Sequence, residues 1–251
     1  MIRKLLALVG MLSCVLAASA PAAQAVVGGS VASTKDLPFM LMLLDARGTQ
    51  FCGATLVAPD AAVTAAHCVV NTKASALIVV AGRDDKRTKA GAAVRVSRIW
   101  IQPGFSNVEQ GRDVAVLHLA TPLSTYETAR LPAPDASYAT GTQGTIAGWG
   151  DTAQSSRTRS SHLRKAQVPI VAPDDCEESY SHFNADSMLC AGYQEGGVDT
   201  CQGDEGGPLL IQGVLVGITS WGDGCGRPRK PGVYTRVSRY SSAITDDIAS
   251  H

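Results

Sequence analysis

Three stretches of this sequence carry side chains that can move protons or face developing charge. His67 stands in Thr64-Ala65-Ala66-His67-Cys68, and Asp113 opens the apolar run Asp113-Val114-Ala115-Val116-Leu117. The third stretch, Asp199-Thr200-Cys201-Gln202-Gly203-Asp204-Glu205-Gly206-Gly207-Pro208, sets three carboxylates among three glycines. A carboxylate that accepts an imidazole N–H orients the ring and stabilises the imidazolium, so His67 and Asp113 make chemical sense as a pair. Taken singly, each signal is weak. A lone histidine is more often a surface or satisfied residue, an Asp before an apolar strand is usually a cap, and an Asp in a Gly-rich loop is commonly part of a turn. In the order His, Asp, Gly-rich acidic loop, the three together are far more specific.

The elements that must hold these residues are mostly strands. Short apolar runs at 39–44, 53–57, 77–81, 94–101, 114–119, 145–147, 168–171, 209–211 and 214–220 alternate with Gly, Pro and Asp turns. That rhythm predicts an all-β sandwich or barrel. Only the tail reads as helical, because Tyr240, Ile244 and Ile248 recur every four residues around Asp246 and Asp247. Residues 151–162 are rich in Ser, Thr and Arg and read as an exposed loop, with Arg157 and Arg159 as targets for tryptic nicking. Leu131-Pro132-Ala133-Pro134-Asp135 interrupts the strand pattern and places a boundary between two halves near 129–138.

The first 25 residues read as a secretory leader: basic Arg3 and Lys4, an apolar run from Leu5 to about Leu16, then Ala23-Gln24-Ala25 as a cleavage site. The run is too short to favour a membrane span, and Met11-Leu12-Ser13-Cys14 is a poor lipobox. A cut after Ala25 leaves a chain beginning Val26-Val27-Gly28-Gly29, in which 20 basic residues face 22 acidic ones. A formal charge of −2 gives no reason to expect nucleic acid or an anionic membrane as partner. Of seven cysteines, Cys14 lies in the leader, and Cys52, Cys68, Cys176, Cys190, Cys201 and Cys225 remain. An even number in an exported chain implies three disulfides, with fifteen pairings open. No Cys/His set has zinc-site spacing.

Over 26–250 the chain resembles the trypsin-like serine peptidases of the chymotrypsin fold, and in style the secreted bacterial trypsins. The likeness rests on the Val26-Val27-Gly28-Gly29 start, Cys52-Gly53, the His67 and Asp113 motifs, Gly148-Trp149-Gly150, Asp199–Pro208, Ser220-Trp221-Gly222 and Pro231-Gly232-Val233-Tyr234. The resemblance implies two six-stranded antiparallel β-barrels, about 26–130 and 131–238, a C-terminal α-helix at about 238–249, and an active site between the barrels. It implies the pairings Cys52–Cys68, Cys176–Cys190 and Cys201–Cys225. His67 becomes the general base and acid, Asp113 its partner, and Ser220 a hydrogen-bond neighbour of Asp113. The N–H groups of Gly203 and Glu205 become the oxyanion hole. Asp199, Gly222 and Gly232 form the S1 pocket for Arg or Lys, and Asp204 pairs with the freed amine of Val26. Because Ala25 precedes Val26, leader cleavage alone would release that amine. Arg83 stands where an acidic ligand of the family's calcium loop is usual, so no metal and no cofactor is expected.

The departure is Glu205, which stands where the family has its nucleophilic serine. If a carboxylate attacked an amide, the adduct would expel it, with a reference pKa of about 4.3, before the amine. Glu205 should also form an ion pair with His67 that favours imidazolium, or turn onto the oxyanion-hole donors. Two readings follow. One is a secreted pseudopeptidase, a monomer that binds basic peptides or protein protease inhibitors. The other is a working endopeptidase cleaving after Arg or Lys, with Glu205 an engineered, variant or misread residue.

Overall fold

A computed structural model describes residues 26–154 and 159–251; the leader, Cys14 and Arg157 lie outside them. The chain is mostly β. Six strands close into an antiparallel barrel: β2 (Met40–Leu44), β3 (Gln50–Ala58), β4 (Ala61–Thr64), β5 (Ile78–Ala81), β6 (Ala92–Ile101) and β7 (Ala115–Leu119), ordered β2-β3-β4-β7-β6-β5. Closure removes unpaired edges, and the interior is filled by Leu41, Leu43, Leu56, Val63, Val79 and Leu117, all fully or almost fully buried.

The second half is a seven-stranded sheet, not a second closed barrel of six. It contains β1 (Ser30–Val31), β8 (Gln143–Gly148), β9 (Arg164–Pro169), β10 (Met188–Ala191), β11 (Pro208–Ile211), β12 (Val214–Trp221) and β13 (Gly232–Arg236), ordered β1-β9-β8-β11-β12-β13-β10. Its outer strands meet through one bridge, Ile170 to Ala191, and the adjoining bonds Val171 N–H to Cys190 O and Gly192 N–H to Pro169 O. Two features stop a full ladder from forming there. β1 takes the start of the β9 edge, with Ser30 opposite Lys165. Beyond Val171 the chain turns into helix α2 (Pro173–Ser179), with Pro173 in its first turn.

Several elements depart from the sequence reading. The tail is helical as expected, α3 running Val237–Ala249 with Tyr240 and Ile244 buried, but it is not the only helix. A single turn, α1 (Ala66–Val69), follows β4, and α2 carries one buried residue, Cys176. Neither is long enough to show a 3.6-residue period. β4, β10 and β13 also went unread: β10 holds no β-branched or aromatic residue and β4 opens on two alanines, so neither carries a strong strand signal. Nor is 151–162 exposed throughout: Asp151 bridges Arg159, Thr152 is buried, and Arg159 Nη1 donates to Gln50 O at 2.7 Å.

Candidate active site

His67 sits in α1, directly after the fully buried β4, and the neighbouring Cys68 is bonded to Cys52 on β3. The ring is therefore fixed from both sides in sequence. Asp113 is aimed inward by a tight turn in which Gly111 and Arg112 both adopt positive φ, 73° and 60°. A Cβ at Gly111 would fall 2.6 Å from Ser187 Oγ and at a positive φ, so any other residue there would have to displace that side chain and bear backbone strain. Asp113 is wholly buried. Its carboxylate accepts the His67 backbone N–H at 2.8 Å, lies 2.7 Å from His67 Nδ1 and accepts the Ser220 hydroxyl at 2.5 Å. Burial opposes charging of His67, but the hydrogen bond to Asp113, the Asp113 charge and the Glu205 charge together raise its pKa.

The loop between β10 and β11 supplies the rest. Gly203 and Gly206 have φ of 97° and 75°, conformations that glycine adopts at least cost. Main-chain bonds tie the loop to both halves: Gly53 N–H donates to Glu205 O at 2.7 Å and Gly206 N–H to Thr219 O at 2.9 Å. Glu205 does not pair with His67. Its carboxylate turns back and accepts the Gly203 N–H at 2.6 Å. Of the two outcomes expected for this side chain, the turn onto Gly203 is the one found. A direct donor–acceptor bond outweighs an ion pair that would have to compete with water in an open cleft. His67, Asp113 and Glu205 therefore share no common metal-binding point, Asp113 being engaged by His67 and Ser220. The sulfurs nearest His67, Cys52 and Cys68, are joined in a disulfide.

A cavity of about 320 Å³ opens beside these groups, lined by His67, Glu205, Asp199, Ser220, Gly222 and Gly232 among others. Asp199 accepts from Thr200 N–H at 2.8 Å and Gly226 N–H at 2.9 Å. Burial pushes its pKa up to about 7 despite these bonds. A Cβ on Gly232 would lie 2.7 Å from the Asp199 carboxylate, whereas one on Gly222 would meet nothing closer than 3.6 Å and would project into the space. Cys201–Cys225 clamps the two walls, and Cys176–Cys190 ties α2 to β10.

Asp204 lies beneath the loop, fully buried, accepting Gly150 N–H at 2.7 Å and Cys201 N–H at 3.0 Å. Burial raises its pKa to about 7, the two backbone bonds oppose this, and the Glu205 and Asp199 charges add to the rise. Any Cβ on Gly148 would collide with the Asp204 carboxylate, which accounts for one glycine of the Gly-Trp-Gly motif. Val26 is fully buried, and Val27 pairs with Asp199. Thus the opening residues already lie against the loop.

Sequence reasoning missed two residues here. Thr235 Oγ1 donates to Asp113 O at 2.8 Å, and Gln50 Nε2 donates to Gly203 O at 2.7 Å. Thr235 belongs to β13, which the sequence reading left out, and nothing in the residues around Gln50 signals the contact. One prediction arises from the backbone alone. Gly206→Ala places a methyl group against Thr64 Oγ1 and Gly53 O at positive φ. Destabilisation of about 2 kcal/mol or more should follow, read as a lower urea midpoint; an unchanged midpoint would refute the close-approach argument.

Comparison with known proteins agrees with this geometry. The family model described as Trypsin matches residues 26–244. A trypsin of Saccharopolyspora erythraea is 43% identical, over 89% of this chain and 98% of its own. A trypsin-like protease of Streptomyces glaucescens is 39% identical, over 87% of this chain and 81% of its own. Trypsin eta of Drosophila melanogaster is 36% identical, over 94% of both. The chain belongs to the trypsin family.

Proposed function

We propose that this protein is a secreted, monomeric trypsin homologue that recognises arginine or lysine side chains but turns over peptide bonds very slowly, because Glu205 fills the place of the attacking hydroxyl. The observation that carries the reading is the Glu205 carboxylate on the Gly203 N–H. In acyl transfer those backbone donors must meet the substrate's developing oxyanion, and here a full negative charge already sits on one of them. The Glu205 charge also adds to the Asp113 interactions that raise the pKa of His67 against its burial, which favours the imidazolium. Its partners would be basic peptides or protein protease inhibitors held through Asp199.

The intact His67–Asp113–Ser220 arrangement supports a second reading, in which the scaffold is that of an endopeptidase cleaving after Arg or Lys and only residue 205 departs from it. Turnover of an arginyl chromogenic substrate by this chain and by Glu205→Ser separates the two. High activity in the unaltered chain would end the pseudopeptidase reading.

Asp204 has a role in both. Cut after Ala25, the chain would present the Val26 amine, with a reference pKa of about 7.7–8.0, to a buried carboxylate that feels the Lys86 charge but forms no ion pair among the described residues. Removing residues 1–25 should therefore change the pH response of stability. In the uncut chain, Asp199 and Asp204 hold protons up to about pH 7, whereas unfolded Asp releases them near pH 4. The native state then binds more protons between those values, so stability falls as pH rises from about 4 to 7, by on the order of 2–4 kcal/mol for each group. The chain starting at Val26 should lose less, because the amine offsets the Asp204 charge. Urea midpoints at pH 4.5 and 7.5 test this, and identical slopes for the two chains would remove the pairing.

A further inference from the structure

Away from the cleft lining, four side chains converge at the end of α3. Arg98 lies on β6, His118 on β7, Asp247 on α3 and His251 just beyond it. Asp247 lies in the last turn of α3, and His251 follows the C-cap residue Ser250. One nitrogen of Arg98, Nη2, lies 2.6 Å from His118 Nε2, 2.7 Å from Asp247 Oδ1 and 2.8 Å from His251 Nδ1. His118 Nε2 is also 2.7 Å from Asp247 Oδ2.

The protons of this cluster do not balance. A neutral imidazole has one protonated nitrogen and one bare nitrogen. With its proton on Nε2, His118 satisfies Asp247 but turns an N–H toward the Arg98 N–H. With Nε2 bare, it accepts from Arg98 but opposes the Asp247 lone pairs. Arg98 Nη2 has two N–H groups for three acceptors, while Arg98 Nε is buried with no acceptor. Three atoms able to bind a metal thus crowd one guanidinium nitrogen that cannot bond to all of them at once, and His251 Nδ1 also lies 2.9 Å from Ser250 Oγ and 3.2 Å from the Asp247 carbonyl.

We infer that His118, Asp247 and His251 form a zinc site, and that Arg98 is a stand-in cation which the metal displaces. Two imidazoles and a carboxylate, with water completing the shell, suit Zn²⁺. Each ligand would then offer a lone pair to the ion, and the proton conflict disappears. The candidate ligand atoms lie within 4.8 Å of one another. Tetrahedral zinc with bonds of ~2.0–2.1 Å holds its ligands about 3.3 Å apart, so the set must contract. His118 and Asp247 are buried and already adjacent, whereas His251 is exposed and lies past the helix end, and closing the distance would exchange its contacts with Ser250 Oγ and the Asp247 carbonyl for the metal. The Arg98 side chain is 34% exposed and has a path to solvent. Bound there, the ion would clip α3 to β7, the strand that follows Asp113.

Titration of the purified protein with ZnCl2 by calorimetry, together with thermal melts with and without EDTA, tests the site. One zinc per chain and a Tm that climbs with zinc concentration are expected. Arg98→Ala removes the competing cation and should bind at least ~10-fold more tightly. His251→Ala removes an exposed ligand without threatening the fold, and its loss of affinity should exceed the ~10–100-fold typical of outer-shell partners. Absence of binding in both the unaltered chain and Arg98→Ala would overturn the inference. So would binding that survives His251→Ala and His118→Gln but vanishes in His67→Ala, since the metal would then sit in the cleft.

Discussion

Replacing Glu205 with serine should raise turnover of an arginyl substrate by roughly 10⁵- to 10⁶-fold. The size follows from the reverse experiment in an unrelated serine protease, where losing the nucleophile costs about 2 × 10⁶ in kcat, on the order of 8 kcal/mol of barrier. The gain has three sources. A hydroxyl attacks and stays attached through ester formation, where a carboxylate is expelled first. The Gly203 N–H, released from its bond at 2.6 Å, becomes free for the substrate oxygen. The Glu205 charge, which adds to the rise in the His67 pKa, also disappears, so the neutral imidazole is less disfavoured. The separate contributions can be read from Glu205→Ala, which clears the hole and the charge without supplying a nucleophile. It should remain within about 10³-fold of the parent, since one oxyanion-hole donor is worth about 10²- to 10³-fold. Equal rates for Ser and Ala at 205 would mean that the hydroxyl is not the missing part.

The second large effect concerns the cavity. Benzamidine, a flat cation, should bind the unaltered chain, and Asp199→Asn should weaken it by roughly 10²- to 5 × 10³-fold, the scale of breaking a buried ion pair of about 3–5 kcal/mol. Burial holds the empty Asp199 carboxyl protonated up to about pH 7, while the ligand requires the carboxylate. Below that pH, binding must expel a proton, so the dissociation constant should rise about tenfold per pH unit. It should be flat above pH 8. Calorimetry across pH 5–9 in buffers of different ionisation enthalpy would detect the proton directly. Binding that strengthens toward acid, or is indifferent to Asp199→Asn, would remove Asp199 as the anchor.

How much of this was legible beforehand varied with the physics involved. The barrel strands that expose a face, such as β6 with Arg95 outward and Val94 inward, announce themselves by alternation. β10, without a β-branched or aromatic residue, and β4, which opens on two alanines, do not. The disulfide pairings and the Ser220–Asp113 contact matched what the family resemblance implied. The closure of the second half did not, because the seam depends on where β1 and α2 lead the chain, and short segments carry no periodic signal for that. The direction of the Glu205 side chain was open between two partners in the sequence. Only the placement of Gly203 N–H against the cleft decided it.

One feature of the loop reaches beyond catalysis. Residue 205 is held by its own peptide groups, with Gly53 gripping its carbonyl and Gly206 anchored to Thr219. No side-chain atom takes part in either strut. The position therefore works as a socket: whatever is plugged in hangs from a frame that the plug does not help to build. Converting such a molecule between cutter and catcher would need one codon and no refitting of its neighbours.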